Sequence, residues 1–122
     1  MTNTAQIIQQ GAPQVAERRR AHRQRVLLGG KLAHTNIRFS MDCVFRNLSP
    51  FGARITIPPG AVVPDEFDLI DMKNGVAYRC RAVWREYPQI GVAFDEHAEL
   101  AKADTPHLMG LKRLWSASQL TG

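Results

Sequence analysis

The stretch 39-FSMDCVFRNLSPFGARITI-57 decides how this chain folds. Phe39, Met41, Cys43 and Phe45 alternate with Ser40, Asp42, Val44 and Arg46, and Ala53, Ile55 and Ile57 alternate with Arg54 and Thr56. A period of two sends alternate side chains to opposite faces of an extended chain, so the pattern predicts two half-buried strands. Between them, Asn47-Leu48-Ser49-Pro50-Phe51-Gly52 gathers the residue types of a turn.

The same period continues downstream. Pro58, Pro59 and Gly60 end the second strand, residues 67–70 predict a short one, and Lys73-Asn74-Gly75 carries the Asn-Gly pair of a tight hairpin. Val76, Tyr78, Cys80, Ala82 and Trp84 then share one face while Arg79, Arg81 and Arg85 share the other. Residues 90–94 follow as a last strand, and Trp84 and Phe94 are expected to pack in the core. With residues 25–34 as a first strand the count reaches about six, with no helical segment between them. An antiparallel barrel or sandwich is the fold class this implies. The C-terminal stretch changes period: Thr105 reads as an N-cap, Pro106 as the first helical residue, and Leu108, Leu111 and Trp115 recur at helical spacing. One amphipathic helix is expected to cover the end of a small open barrel.

A chain of 122 residues, 44% hydrophobic and 22% charged, accommodates one domain with one core. Residues 1–16 are polar and Gln-rich and are read as a flexible tail. Residues 17–97 form the barrel domain and residues 98–122 the helical segment packing on it. No apolar run exceeds three residues, so neither a membrane span nor the core of a secretory leader is expected, and the protein is assigned to the cytoplasm. Cys43 and Cys80 lie far apart in apolar segments and are expected as buried reduced thiols. His22, His34, His97 and His107 lack ligand spacing, so no metal and no cofactor is expected.

The charge is informative by its placement. Sixteen Lys and Arg against eleven Asp and Glu give a formal charge of +5. Arg18, Arg19, Arg20, Arg23 and Arg25 account for that whole excess, because the rest of the chain balances at eleven of each sign. A local cluster of this kind, rather than a broad basic face, points to an anionic partner met at one place. Catalysis finds little to hold: no GxSxG elbow, no Gly-rich phosphate loop and no HExxH occurs. Asp65, Glu66, Asp68 and Asp71 are read as a solvated acidic rim, and the chain is not expected to be an enzyme.

Two motifs carry the functional reading. Arg19 and Arg23 are spaced as RxxxR with Arg18 before them, and Asn47, Ser49 and Gly52 are spaced as (D/N)xSxxG. Together they resemble the paired motifs of PilZ domains, receptors for the bacterial second messenger cyclic di-GMP. The Val83-Trp84 pair and Gly91-Val92-Ala93-Phe94 also resemble that family's late strands, and the resemblance covers about residues 17–97. It implies a six-stranded antiparallel β-barrel with a C-terminal helix. It also implies that Arg19 and Arg23 meet guanine edges and phosphates with Arg18 adding field strength or a stacking plane, that Asn47 and Ser49 hydrogen-bond the ligand, and that Gly52 lets the backbone approach it or takes a positive φ. Arg54 is a possible additional contact; Arg20 and Arg25 fall outside the motif spacing, His22 lies inside RxxxR as a solvent-exposed spacer, and none of the three is assigned to the ligand. The chemistry fits, since guanine offers O6 and N7 as paired acceptors for the planar arginine fork.

By the same resemblance, ligand binding would order the arginine-rich loop on the barrel and signal to a protein partner controlling motility, exopolysaccharide or biofilm. The chain is expected as a monomer or homodimer without membrane insertion, and nucleic acid is not the expected partner. Two alternatives stand: a small nucleic-acid-binding barrel with a basic arm, and a PilZ-like adaptor that binds only protein.

Overall fold

A computed structural model describes residues 24–121 of the chain. Six strands follow one another: β1 Gln24–His34, β2 Phe39–Leu48, β3 Gly52–Thr56, β4 Glu66–Asp71, β5 Val76–Glu86 and β6 Gln89–Glu99. A short 3₁₀ turn, Leu100–Lys102, leads to helix α1, Pro106–Thr121. The strands close into a barrel in the order β1-β2-β3-β6-β5-β4, every pair antiparallel. Closure resolves the choice between barrel and sandwich and leaves no strand edge unpaired.

The inward side chains of the alternating pattern fill the barrel: Leu32, Phe45, Ile55, Phe67, Leu69 and Ile90 are fully buried. Cys43 and Cys80 are free thiols within this core. Desolvation, with the charge of Asp42 beside it, pushes the Cys43 thiol up to about 12, and burial raises that of Cys80 as well.

Helix α1 begins where its cap residues predicted, with the Leu108 amide donating to Thr105 Oγ1 at 3.2 Å. It packs on the outer face of the barrel rather than over an end. Ala33, Ile70, Ala77, Leu100 and Leu111 form a second buried cluster, distinct from the barrel interior. On β4, Ile70 belongs to this cluster and its neighbour Leu69 to the core, so the strand is apolar on both faces and the helix lies along its outer one. The Trp115 indole donates to the Met72 carbonyl at 3.0 Å and fixes the helix against the β4–β5 turn. In that turn Gly75 has φ +67°, a conformation suited to glycine, and a Cβ there would stand 2.6 Å from the Trp115 ring.

The acidic run is a solvated rim only at Asp65 and Glu66, whose side chains are 93% and 67% exposed. Asp68 and Asp71 are buried, 4% and 1% exposed. Asp71 accepts from the Lys73 and Asn74 amides and the Asn74 side chain, while Asp68 faces Arg79 and His107. These carboxylates are compensated by partners rather than by water.

Candidate functional site

The motif turn between β2 and β3 is set by a bulge. Phe45 pairs with Ile55 and Asn47 with Arg54, so Arg46 is the extra residue on β2. The bulge turns Arg46 out to solvent and leaves Asn47 only 8% exposed. Asn47 Oδ1 accepts from the Arg54 amide at 3.1 Å across the hairpin. Ser49 Oγ accepts from the Phe51 and Gly52 amides at 3.1 and 3.2 Å and lies 3.3 Å from the Gly52 carbonyl, to which its hydroxyl donates. A main-chain bond from Ser49 N–H to Gly52 O closes the turn at 2.9 Å.

Gly52 has a different requirement from the two anticipated. It is not among the positive-φ glycines of the described residues, which are Gly60 and Gly75. A Cβ at Gly52 would run into the backbone carbonyl of Val92 on β6, so the glycine serves close approach between two strands of the barrel.

Strand register then assembles a row that crosses five of the six strands. Arg25 on β1 pairs with Asn47 on β2, Asn47 with Arg54 on β3, Arg54 with Gly91 on β6, and Gly91 with Trp84 on β5. At about 4.8 Å between strands the row is about 19 Å long. The Trp84 indole covers Gly91, filling the space a Cβ would need. Trp84 is 43% exposed and therefore not a core residue as its alternation suggested. The reason is a second bulge: Ala82 pairs with Val92 and Trp84 with Gly91, so Val83 is the extra residue and the indole moves to the outer face. Phe94 keeps its expected place, half-buried against the core and stacked on Tyr78 at 4.0 Å. Arg54 Nη1 donates to Gln89 Oε1 at 2.8 Å, which holds one arm of the guanidinium.

The structure thus brings Asn47, Ser49, Gly52, Arg54 and Arg25 to one end of the barrel and adds Trp84 and Gln89, which sequence reasoning had placed in the core or left in a turn. Trp84 was findable only through the bulge at Val83, which period-two counting does not detect. Arg18, Arg19 and Arg23, with Arg20, His22 and the tail 1–16, lie outside the described residues. Chemically, the row offers arginine forks, an aromatic face and amide donors, a set suited to a planar anion rich in acceptors.

No family model matches the chain, and no curated protein matches it in sequence. Among solved structures it is similar to the PilZ domain of CeSA from a cellulose-synthesizing bacterium, with 13% identity and a TM-score of 0.48 over 80% of this chain and 98% of that one.

Proposed function

We propose that this chain is a cyclic di-GMP receptor of the PilZ kind, acting as a ligand-operated adaptor rather than as an enzyme. The observation that carries the reading is the register at the start of β1: Gln24 pairs with Leu48 and Arg25 with Asn47, so the chain enters the barrel beside the Asn47–Gly52 turn. Arg23 directly precedes Gln24 in sequence, and Arg19 lies five residues before Gln24. At up to about 3.5 Å per residue, both are tethered within reach of the turn and of Arg54 and Trp84. Two motifs separated by more than twenty residues thereby have access to one ligand.

In this account Arg19 and Arg23 take guanine edges and phosphates, Arg18 and Arg25 add positive field, and Trp84 offers a stacking face. The dianion offsets the mutual repulsion of the arginines, and the surface so formed engages a protein partner of motility, exopolysaccharide or biofilm control. The compartment for this role is the cytoplasm; no helix among the described residues is long and apolar enough to cross a membrane.

One observation favours a second reading, a PilZ-like adaptor that binds protein alone. Asn47 Oδ1 and Ser49 Oγ are already engaged with backbone amides, so the turn holds its shape without any ligand. Calorimetric titration of the full chain with cyclic di-GMP separates the two. Saturable heat that disappears in Arg23→Ala supports the receptor; absence of heat at micromolar protein leaves the adaptor.

A further inference from the structure

The lysines and arginines on the barrel strands divide by whether a carboxylate meets them. Lys31, Arg79, Arg81 and Arg85 each have one, at 2.6, 3.2, 3.0 and 2.8 Å. Arg25, Arg46 and Arg54 have none among the described residues. These three are also neighbours. Arg25 on β1 and Arg54 on β3 are both register partners of Asn47, and Arg46 precedes it on β2. Paired Cα atoms lie about 4.5 to 5.5 Å apart and consecutive ones about 3.8 Å, so arginines from three adjacent strands surround one asparagine. Like charges on neighbouring strands repel. The barrel compensates its other strand-borne lysines and arginines and leaves this group without a counter-charge among the described residues.

Arg46 is the member that neither motif contains. On β1 the register passes from Arg25↔Asn47 to Leu28↔Phe45, and on β3 from Arg54↔Asn47 to Ile55↔Phe45. Arg46 therefore pairs with neither neighbouring strand, and it is exposed beside the motif turn. Bulges re-aim side chains in this way next to functional sites. Arg54, across from Asn47, is held at one arm by Gln89 Oε1 at 2.8 Å.

Charge decides what such a group receives. A guanine edge is neutral, and one arginine fork satisfies its O6 and N7, so further cations beside it gain little. A phosphodiester carries a full negative charge on two non-bridging oxygens, which two forks can share while the repulsion among all three arginines falls. We propose that Arg46 and Arg54 clamp a phosphodiester of the bound dinucleotide, with Arg25 adding to the field, and that Arg46 is a ligand-contacting residue outside both motifs. The inference rests on the receptor reading and refines it: the barrel itself holds one phosphate, and the arginines before Gln24 are left to the guanine edges and the second phosphate.

Calorimetric titration of the full chain with cyclic di-GMP tests the clamp. Arg46→Gln, which keeps the stem and removes the charge, is expected to weaken binding about 10-fold, and Arg46→Lys, which keeps the charge and loses the fork, about 3-fold. Arg81→Ala removes an arginine already paired with Asp95 and is expected to leave the affinity unchanged. Unaltered Asn47 and Gly52 amide resonances in the free variants show that the bulge and turn are kept. A wild-type chain that does not bind cyclic di-GMP defeats the receptor reading, and inorganic pyrophosphate then judges the clamp by itself. In Arg19→Ala/Arg23→Ala protein, millimolar pyrophosphate should shift the Arg46 and Arg54 Nε–H resonances to saturation, and adding Arg46→Gln should abolish the Arg54 response. Affinity for cyclic di-GMP undiminished in Arg46→Gln, or no saturation by pyrophosphate, overturns the proposal.

Discussion

The motif turn and the helix seam hold their shapes by opposite means. The hydrogen bonds that the Asn47 and Ser49 side chains make in the turn join residues two to seven apart, from Ser49 to Phe51 and Gly52 and from Asn47 to Arg54. The seam depends on partners far apart in sequence: His107 reaches Asp68 across 39 positions and Trp115 reaches Met72 across 43. A locally closed turn keeps its geometry whatever happens at the helix. A seam closed at long range can loosen while the barrel stays intact.

Two glycines sharpen this contrast. Gly52→Ala puts a methyl group against the Val92 backbone carbonyl, which cannot move without breaking the β3–β6 pairing. The loss expected in urea unfolding is at least about 3 kcal/mol, the largest of the series. Leu111→Ala removes a fully buried side chain from the seam and is expected to cost about 2 to 3 kcal/mol. Hydrogen exchange should locate that loss in α1, with protection in β2 and β3 retained; equal loss in both would break the distinction between the two regions. Ser49→Ala leaves the Phe51 and Gly52 amides without their acceptor, for about 1 kcal/mol by the same unfolding measurement. Gly110→Ala is the mildest. The new methyl crowds the terminal Cδ1 of Ile37 and makes ordinary contact with Arg113, and the gain in helix propensity, about 1 kcal/mol, offsets the crowding, so the unfolding midpoint should barely change.

The same contrast explains what the sequence could disclose. Period-two alternation across residues 39–57 was enough for the strands, and Thr105-Pro106 for the helix start, because those signals are local. Asn47, Ser49 and Gly52 were legible as a turn for the same reason. The placement of Trp84 was not, since one extra residue at Val83 reverses the face of everything after it. Nor was the burial of Asp68 and Asp71. The Asp68 carboxylate looks solvated until the helix, more than thirty residues later, brings His107 against it, and Asp71 is taken up by the turn that follows it. The role of Gly52 was seen in part: close approach was anticipated, but the body approached is the neighbouring strand.

The central claim is that one strand row, running from Arg25 through Asn47, Arg54 and Gly91 to Trp84, receives a ligand that the preceding arginines grip. The chain has two tryptophans, one in that row and one in the seam, so their indole N–H resonances report on the two regions separately. Adding cyclic di-GMP to the full chain should move the Trp84 signal to saturation and leave Trp115 essentially in place. A Trp84 signal that stays fixed through the titration, or one that moves equally in Arg19→Ala/Arg23→Ala protein, would contradict the account.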